Sequence, residues 1–131
     1  MDETIGGQGN GTFTQSDQTE HTVGDGLKIG DEDYSGTGLT WTYNLNGGEL
    51  KTGVLINYGV FTFSGGRLQG NIENDGLFVV HGPAFRYIVG NVYNEGTLKC
   101  DTATVLAIAG TYTNRGIDTT CFIIHTTLFN P

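Results

Sequence analysis

The side chains in this sequence that could do chemistry are two cysteines, three histidines, fourteen acids, six bases and a small set of aromatics. Cys100 and Cys121 lie 21 residues apart. That spacing suits either a disulfide, which export would permit, or two buried thiols. Cys121 and His125 have the separation of a zinc-ligand pair, but no second compact pair accompanies them, so no zinc site is expected. The run Asp31-Glu32-Asp33-Tyr34-Ser35-Gly36 copies the first half of a calcium loop. Asp31, Asp33 and Ser35 would be its hard oxygen ligands, and glycine would permit the turn. Its twelfth position is Thr42, so the bidentate glutamate is missing; the competing reading is an acidic, solvated turn. Calcium is the only cofactor the sequence raises.

Catalytic sets are harder to find. Ser16, Ser35 and Ser64 sit in turn-like settings, and no serine, histidine and acid are expected to converge. Glu73, Asp75 and Glu95 fall near turns, and Lys51, Arg67, Arg86, Lys99 and Arg115 are scattered. An acid pair such as Asp75 with Glu95 is the best case for a polysaccharide-active enzyme, and solvent-facing turn acids are the simpler reading. No catalytic residue is assigned. Trp41, Tyr43, Tyr58 and Tyr93 are the candidates for stacking on a sugar or a protein partner. The Thr-x-Thr pairs (for example Thr12/Thr14 and Thr111/Thr113) do not recur at a fixed period, so no flat threonine array follows. Asn10-Gly11-Thr12 matches a glycosylation sequon.

What must position these side chains is an internal repeat. Gly-x-x-x-Asn-x-Gly occurs at Gly53/Asn57/Gly59, Gly70/Asn74/Gly76, Gly90/Asn94/Gly96 and Gly110/Asn114/Gly116. A large apolar residue precedes each Asn by two: Leu55, Ile72, Val92 and Tyr112. Phe61, Phe78 and Leu98 follow an Asn by four, and Asp118 breaks that row. The period suits one coil of a β-solenoid, with short strands joined by tight turns. Glycine takes positive φ at sharp corners, and asparagine tolerates them. Stacked coils about 4.8 Å apart would let the Asn amides bond each other in a ladder. These Asn and Gly residues are therefore read as structural.

Composition agrees. Of 131 residues, 22 are glycine and only two proline, which fits turns without collagen or a Pro-rich linker. The expected fold is all-β, a right-handed parallel β-helix with coils of about 17–20 residues. Residues 1–40 would be an N-terminal cap or irregular coils, and 41–131 the repeats, in one continuous domain. A net charge of −8 without a basic stripe excludes nucleic-acid binding. The longest apolar run is too short for membrane insertion. No leader is visible, which does not itself argue for the cytoplasm.

The coils Gly70–Leu77 and Gly90–Leu98, variants of a Gly-x-Ile-x-Asn-x-Gly-x-Leu form, resemble those of large β-helical surface adhesins. Filamentous-haemagglutinin and autotransporter passengers are one such group, and fungal hyphally regulated cell-wall adhesins another. The resemblance spans about residues 42–125. It implies a secreted, cell-surface location and contact with host or neighbouring cells. The leading expectation is a non-enzymatic structural or adhesive segment that meets a glycan or host surface protein, with neighbouring coils of a longer parent chain as further contacts. A trimeric phage or viral tail-fibre segment is the alternative, and a polysaccharide-active enzyme comes third.

Overall fold

The computed structural model describes residues 2–6, 9–16, 18–31, 40–82, 85–101, 104–119 and 121–125. Its regular structure is entirely strand: β1 (Glu3–Ile5), β2 (Gly11–Gln15), β3 (Glu20–Ile29), β4 (Trp41–Leu45), β5 (Glu49–Asn57), β6 (Val60–Phe63), β7 (Arg67–Asn74), β8 (Leu77–Val80), β9 (Phe85–Val89), β10 (Val92–Asn94), β11 (Thr97–Cys100), β12 (Val105–Ala109), β13 (Tyr112–Asn114), β14 (Ile117–Thr119) and β15 (Phe122–His125). Every pairing is parallel. The chain is a β-solenoid of about 5 turns.

Each coil has three faces. Face one holds residues 20–23, 49–51 and 67–69, then β9, β12 and β15. Face two holds β1, residues 26–29, 54–57 and 71–74, then β10 and β13. Face three holds β2, β4, β6, β8, β11 and β14. In β3 and β5 a register shift (between Val23 and Gly26, and between Lys51 and Val54) bends one strand across faces one and two. By β9 and β10 the same place, at Gly90 and Asn91, has become a break.

The repeat falls in register. Asn57, Asn74, Asn94 and Asn114 pair directly, as do Leu55, Ile72, Val92 and Tyr112. On face three Phe13, Tyr43, Phe61, Phe78, Leu98 and Asp118 form one column. Period-two alternation sends these rows inward, and from Leu27 to Ile108 the core is nearly sealed. The rings of Phe13, Tyr43, Phe61 and Phe78 stack with centroids 4.8–5.1 Å apart, which is the coil spacing itself.

The Asn ladder is continuous. Nδ2 of Asn57, Asn74 and Asn94 each donates to Oδ1 of the next Asn at 2.8 Å, and to a face-three carbonyl one coil on (Leu77, Thr97 or Ile117). The glycine after each Asn has a different cause from the one expected. Gly59, Gly76, Gly96 and Gly116 are not among the positive-φ residues. A Cβ there would sit 2.1–2.3 Å from a carbonyl oxygen of the coil before, so close approach between coils is what requires glycine. Positive φ belongs instead to the leading glycines Gly70 (145°) and Gly90 (152°).

Residues 1–40 lack the motif, yet β1, β2 and β3 lie in the same two sheets. Ile5 and Ile29 fill the ladder column with apolar contact in place of amides. Residues 30–40 join β3 to β4, where Tyr58 and Gly59 alone join β5 to β6. At the other end Asp118 takes Leu98's column and accepts a hydrogen bond from Tyr112 Oη at 2.8 Å, a polar closure of two rows that are apolar further in.

Candidate functional site

The four aromatic candidates do not converge. Tyr43 is wholly buried, which corrects its reading as a surface ring: its hydroxyl donates to Gln15 Oε1 at 2.7 Å, and His21 Nδ1 lies 2.7 Å from it. Burial away from water, then the Glu3 carboxylate, raises the Tyr43 pKa. Because the Tyr43 proton is committed to Gln15, His21 Nδ1 donates to the Tyr43 oxygen. His21 Nε2 lies 3.1 Å from Glu3 Oε2. Trp41 is also structural. Its ring covers Gly6 and Gly30, where a Cβ would come within 2.2 Å of ring carbons, and its Nε1 donates to Gly9 O at 2.8 Å. Tyr58 is half-buried in the turn after Asn57.

Tyr93 alone lines an open groove. On face two, outward positions alternate with the inward row, so Glu73, Tyr93 and Thr113 align in register, and Asn71, Asn91 and Thr111 flank them. With Ile72 and Val92 beneath, they line an open depression of about 460 Å³. The flanking amides are oriented by backbone bonds: Asn71 Oδ1 accepts from Asn91 N at 3.0 Å, and Asn91 Oδ1 from Thr111 N at 2.9 Å. Among the described residues their Nδ2 groups make no hydrogen bond, and both side chains are exposed. One ring, one carboxylate, two oriented amides and two hydroxyls place an apolar face for stacking beside hydrogen-bond donors and acceptors. Sequence reasoning singled out Tyr93 and Glu73 separately, and the coil period of 20 residues between Asn74 and Asn94 is the signal that unites them.

The other candidates have simpler places. Asp31 is half-buried, while Asp33 and Ser35 lie outside the described residues. Among the described residues no three His, Cys, Asp or Glu side chains cluster as a metal site. Cys100 and Cys121 are joined by a disulfide with Cα atoms 4.8 Å apart, which ties the end of β11 to the chain entering β15 and removes Cys121 as a thiolate ligand. Asp75 and Glu95 both sit exposed in Asn-x-Gly turns. Asn10 is exposed, with its Oδ1 accepting from Thr40 N at 2.9 Å.

One corner of the coils carries a serine, a histidine and an acid in succession. Ser64, His81 and Asp101 each follow the last residue of a face-three strand, so they stack at one corner of three successive coils. His81 Nδ1 reaches the Asp101 carboxylate at 3.1 and 3.2 Å. Gly82 N–H donates to Asp101 at 3.0 Å; that bond first, and His81 second, lower the Asp101 pKa. Arg86 fastens the corner by donating to Ser64 O at 2.7 Å and His81 O at 2.9 Å. The Ser64 hydroxyl makes no hydrogen bond to His81 among the described residues, and half of each of the His81 and Asp101 side chains faces solvent.

No protein-family model, curated protein or solved structure matches this chain.

Proposed function

We propose that this chain is a non-enzymatic adhesive segment of an exported, cell-surface protein, and that it holds a glycan in the groove of face two. The observation that carries the reading is the groove itself: Tyr93 set between Glu73 and Thr113, with Asn71 and Asn91 presenting oriented amide donors. The stacked core fixes the spacing of these groups at one coil. Recognition there loses little side-chain or backbone freedom, which favours affinity. The acid in the groove and the net charge of −8 favour neutral or amino sugars over sulfated or uronic chains.

The test is a glycan array read with the wild-type chain and with Tyr93→Ala and Glu73→Gln. Binding to defined glycans that falls at least tenfold in Tyr93→Ala is the expected result. Binding unchanged by both substitutions would sink the reading. A trimeric receptor-binding fibre is the second reading, and the uncovered apolar face of β9, β12 and β15 is the observation in its favour. A stable trimer in light scattering would move the assignment to it.

A further inference from the structure

Face three shows solvent a different surface from the other two. Its inward column runs from Phe13 to Asp118, so the residues on either side of that column point outward. Thr12, Thr42, Val60, Leu77, Thr97 and Ile117 form one outward row, and Thr14, Asn44, Thr62, Val79, Lys99 and Thr119 the other. Half of these positions are threonine, no acid or aromatic stands among them, and Lys99 is their one charge. Charges of the same coils lie on the other faces, with Glu49, Lys51 and Arg67 on face one and Lys28 and Glu73 on face two. From Thr42 to Thr97 every side chain in the two rows is half-buried by its neighbours, which makes the surface close-set. Unequal coil lengths hide this mixed array in the sequence, where the Thr-x-Thr pairs keep no period: Thr12 pairs with Thr42, and Thr42 with Val60.

We propose that face three is an ice-binding surface. Two repeat distances select that partner. Along the solenoid axis the outward groups recur at the coil spacing of about 4.8 Å, and along each strand at every second residue, about 6.6–6.8 Å. Both are close to the repeat distances of water oxygens on the prism face of hexagonal ice. The ring stack beneath, with centroids 4.8–5.1 Å apart, holds the first spacing. Threonine, valine and isoleucine are stiff at χ1, so the hydroxyls and methyls keep their places on that grid. The hydroxyls hydrogen-bond water of the ice layer, and the methyls between them shape the water they contact into cages that continue the lattice. A charged side chain would instead orient water around itself, and the two rows carry none between β2 and β8. The same composition is a poor match for other partners. Protein interfaces draw their energy from Trp, Tyr and Arg, and carbohydrate surfaces are met by stacked aromatics, none of which stands in these rows. This inference is independent of the groove, which lies on face two.

Thermal hysteresis of single ice crystals, measured with the whole chain from micromolar to millimolar concentration, tests it. The expected result is faceted crystals and a gap between melting and growth temperatures that widens with concentration. Thr62→Lys, at the centre of the face, should shrink that gap at least tenfold at equal concentration. Thr42→Lys, one coil away, should do the same. The charge-matched Gln69→Lys on face one should leave it alone. Round, unfaceted crystals with no gap at millimolar wild-type chain would overturn the proposal, and so would equal losses in Thr62→Lys and Gln69→Lys. Far-UV circular dichroism near 0 °C on each variant guards against reading a folding defect as lost ice binding, and Thr42→Lys supplies the reading if Thr62→Lys does not fold.

Discussion

Replacing Asn74 by alanine tests the ladder where its loss is worst compensated. Asn74 is 2% exposed, accepts from Asn57 Nδ2, and donates to Asn94 Oδ1, Thr97 O and Gly76 O. In Asn74→Ala the Asn94 Oδ1 loses its donor altogether, while Asn57 Nδ2 keeps only Leu77 O. A buried polar group left unsatisfied costs about 1–3 kcal/mol. One orphaned acceptor, one half-orphaned donor and a small cavity together come to about 2–4 kcal/mol. Asn114, at the exposed end of the ladder, accepts from Asn94 Nδ2 and Gly116 N, and water can take over both roles. Asn114→Ala should therefore cost about 1 kcal/mol or less. At a typical urea slope of about 2 kcal/mol/M, Asn74→Ala lowers the unfolding midpoint by about 1–2 M. Urea titrations followed by Trp41 fluorescence and by circular dichroism read this out, and agreement between the two probes shows that the stacked coils unfold together. Equal midpoints for Asn74→Ala and Asn114→Ala would refute the ladder as a source of stability.

Three further perturbations follow from the geometry. Tyr43 and Tyr112 have raised pKa values in the fold, so their contribution is intact below their ordinary value of about 10 and is lost as pH rises past it. Denaturant midpoints should fall above about pH 10, less steeply in Tyr43→Phe, and an identical alkaline limb in that variant would contradict the assignment. Asp101 has a lowered pKa, so its corner is secured above its ordinary value of 3.8 and loosens as pH drops below it. The hydrogen-exchange protection factor of the Gly82 amide should decline in acid in the wild type and stay flat in Asp101→Asn. Reducing the Cys100–Cys121 bridge, which closes a 21-residue separation, should cost about 3 kcal/mol. The loss should appear as faster exchange in β12 and β15, with β4 to β8 unaffected; uniform loss along the solenoid would count against a local tie.

The parts of the fold legible in the sequence are those where stacking demands the same residue on every coil. Asn57, Asn74, Asn94 and Asn114 repeat because an amide bonds best to an identical amide one coil away. The N-terminal coils were opaque for the converse reason: Ile5 and Ile29 fill the ladder column with apolar contact, which imposes no motif. Tyr43 was misread because inward and outward positions differ by one residue, and only its register with Phe61 places it inside. The groove was half legible. Tyr93 and Glu73 could be named as types, but their alignment with Thr113 comes from the pairing of β7, β10 and β13. The Ser64, His81 and Asp101 corner escaped because those residues lie outside the repeated motif, and the register of the strands before them is what stacks them. The apolar rows of face one were hidden for a related reason: in Val105–Ala109 both faces of the strand are apolar, so the sequence alone does not separate the inner row from the outer.

The central claim, a glycan held on face two, is tested most directly by nuclear magnetic resonance titration of the labelled chain with a sugar that scores on the array. The account predicts shift changes concentrated at the Asn71 and Asn91 side-chain amides, the Tyr93 ring and the backbone of Glu73, Thr111 and Thr113, with the Asn74 and Asn94 ladder amides unmoved. Shifts centred on Phe85, Tyr87 and Phe122, or none at saturating sugar, would contradict it.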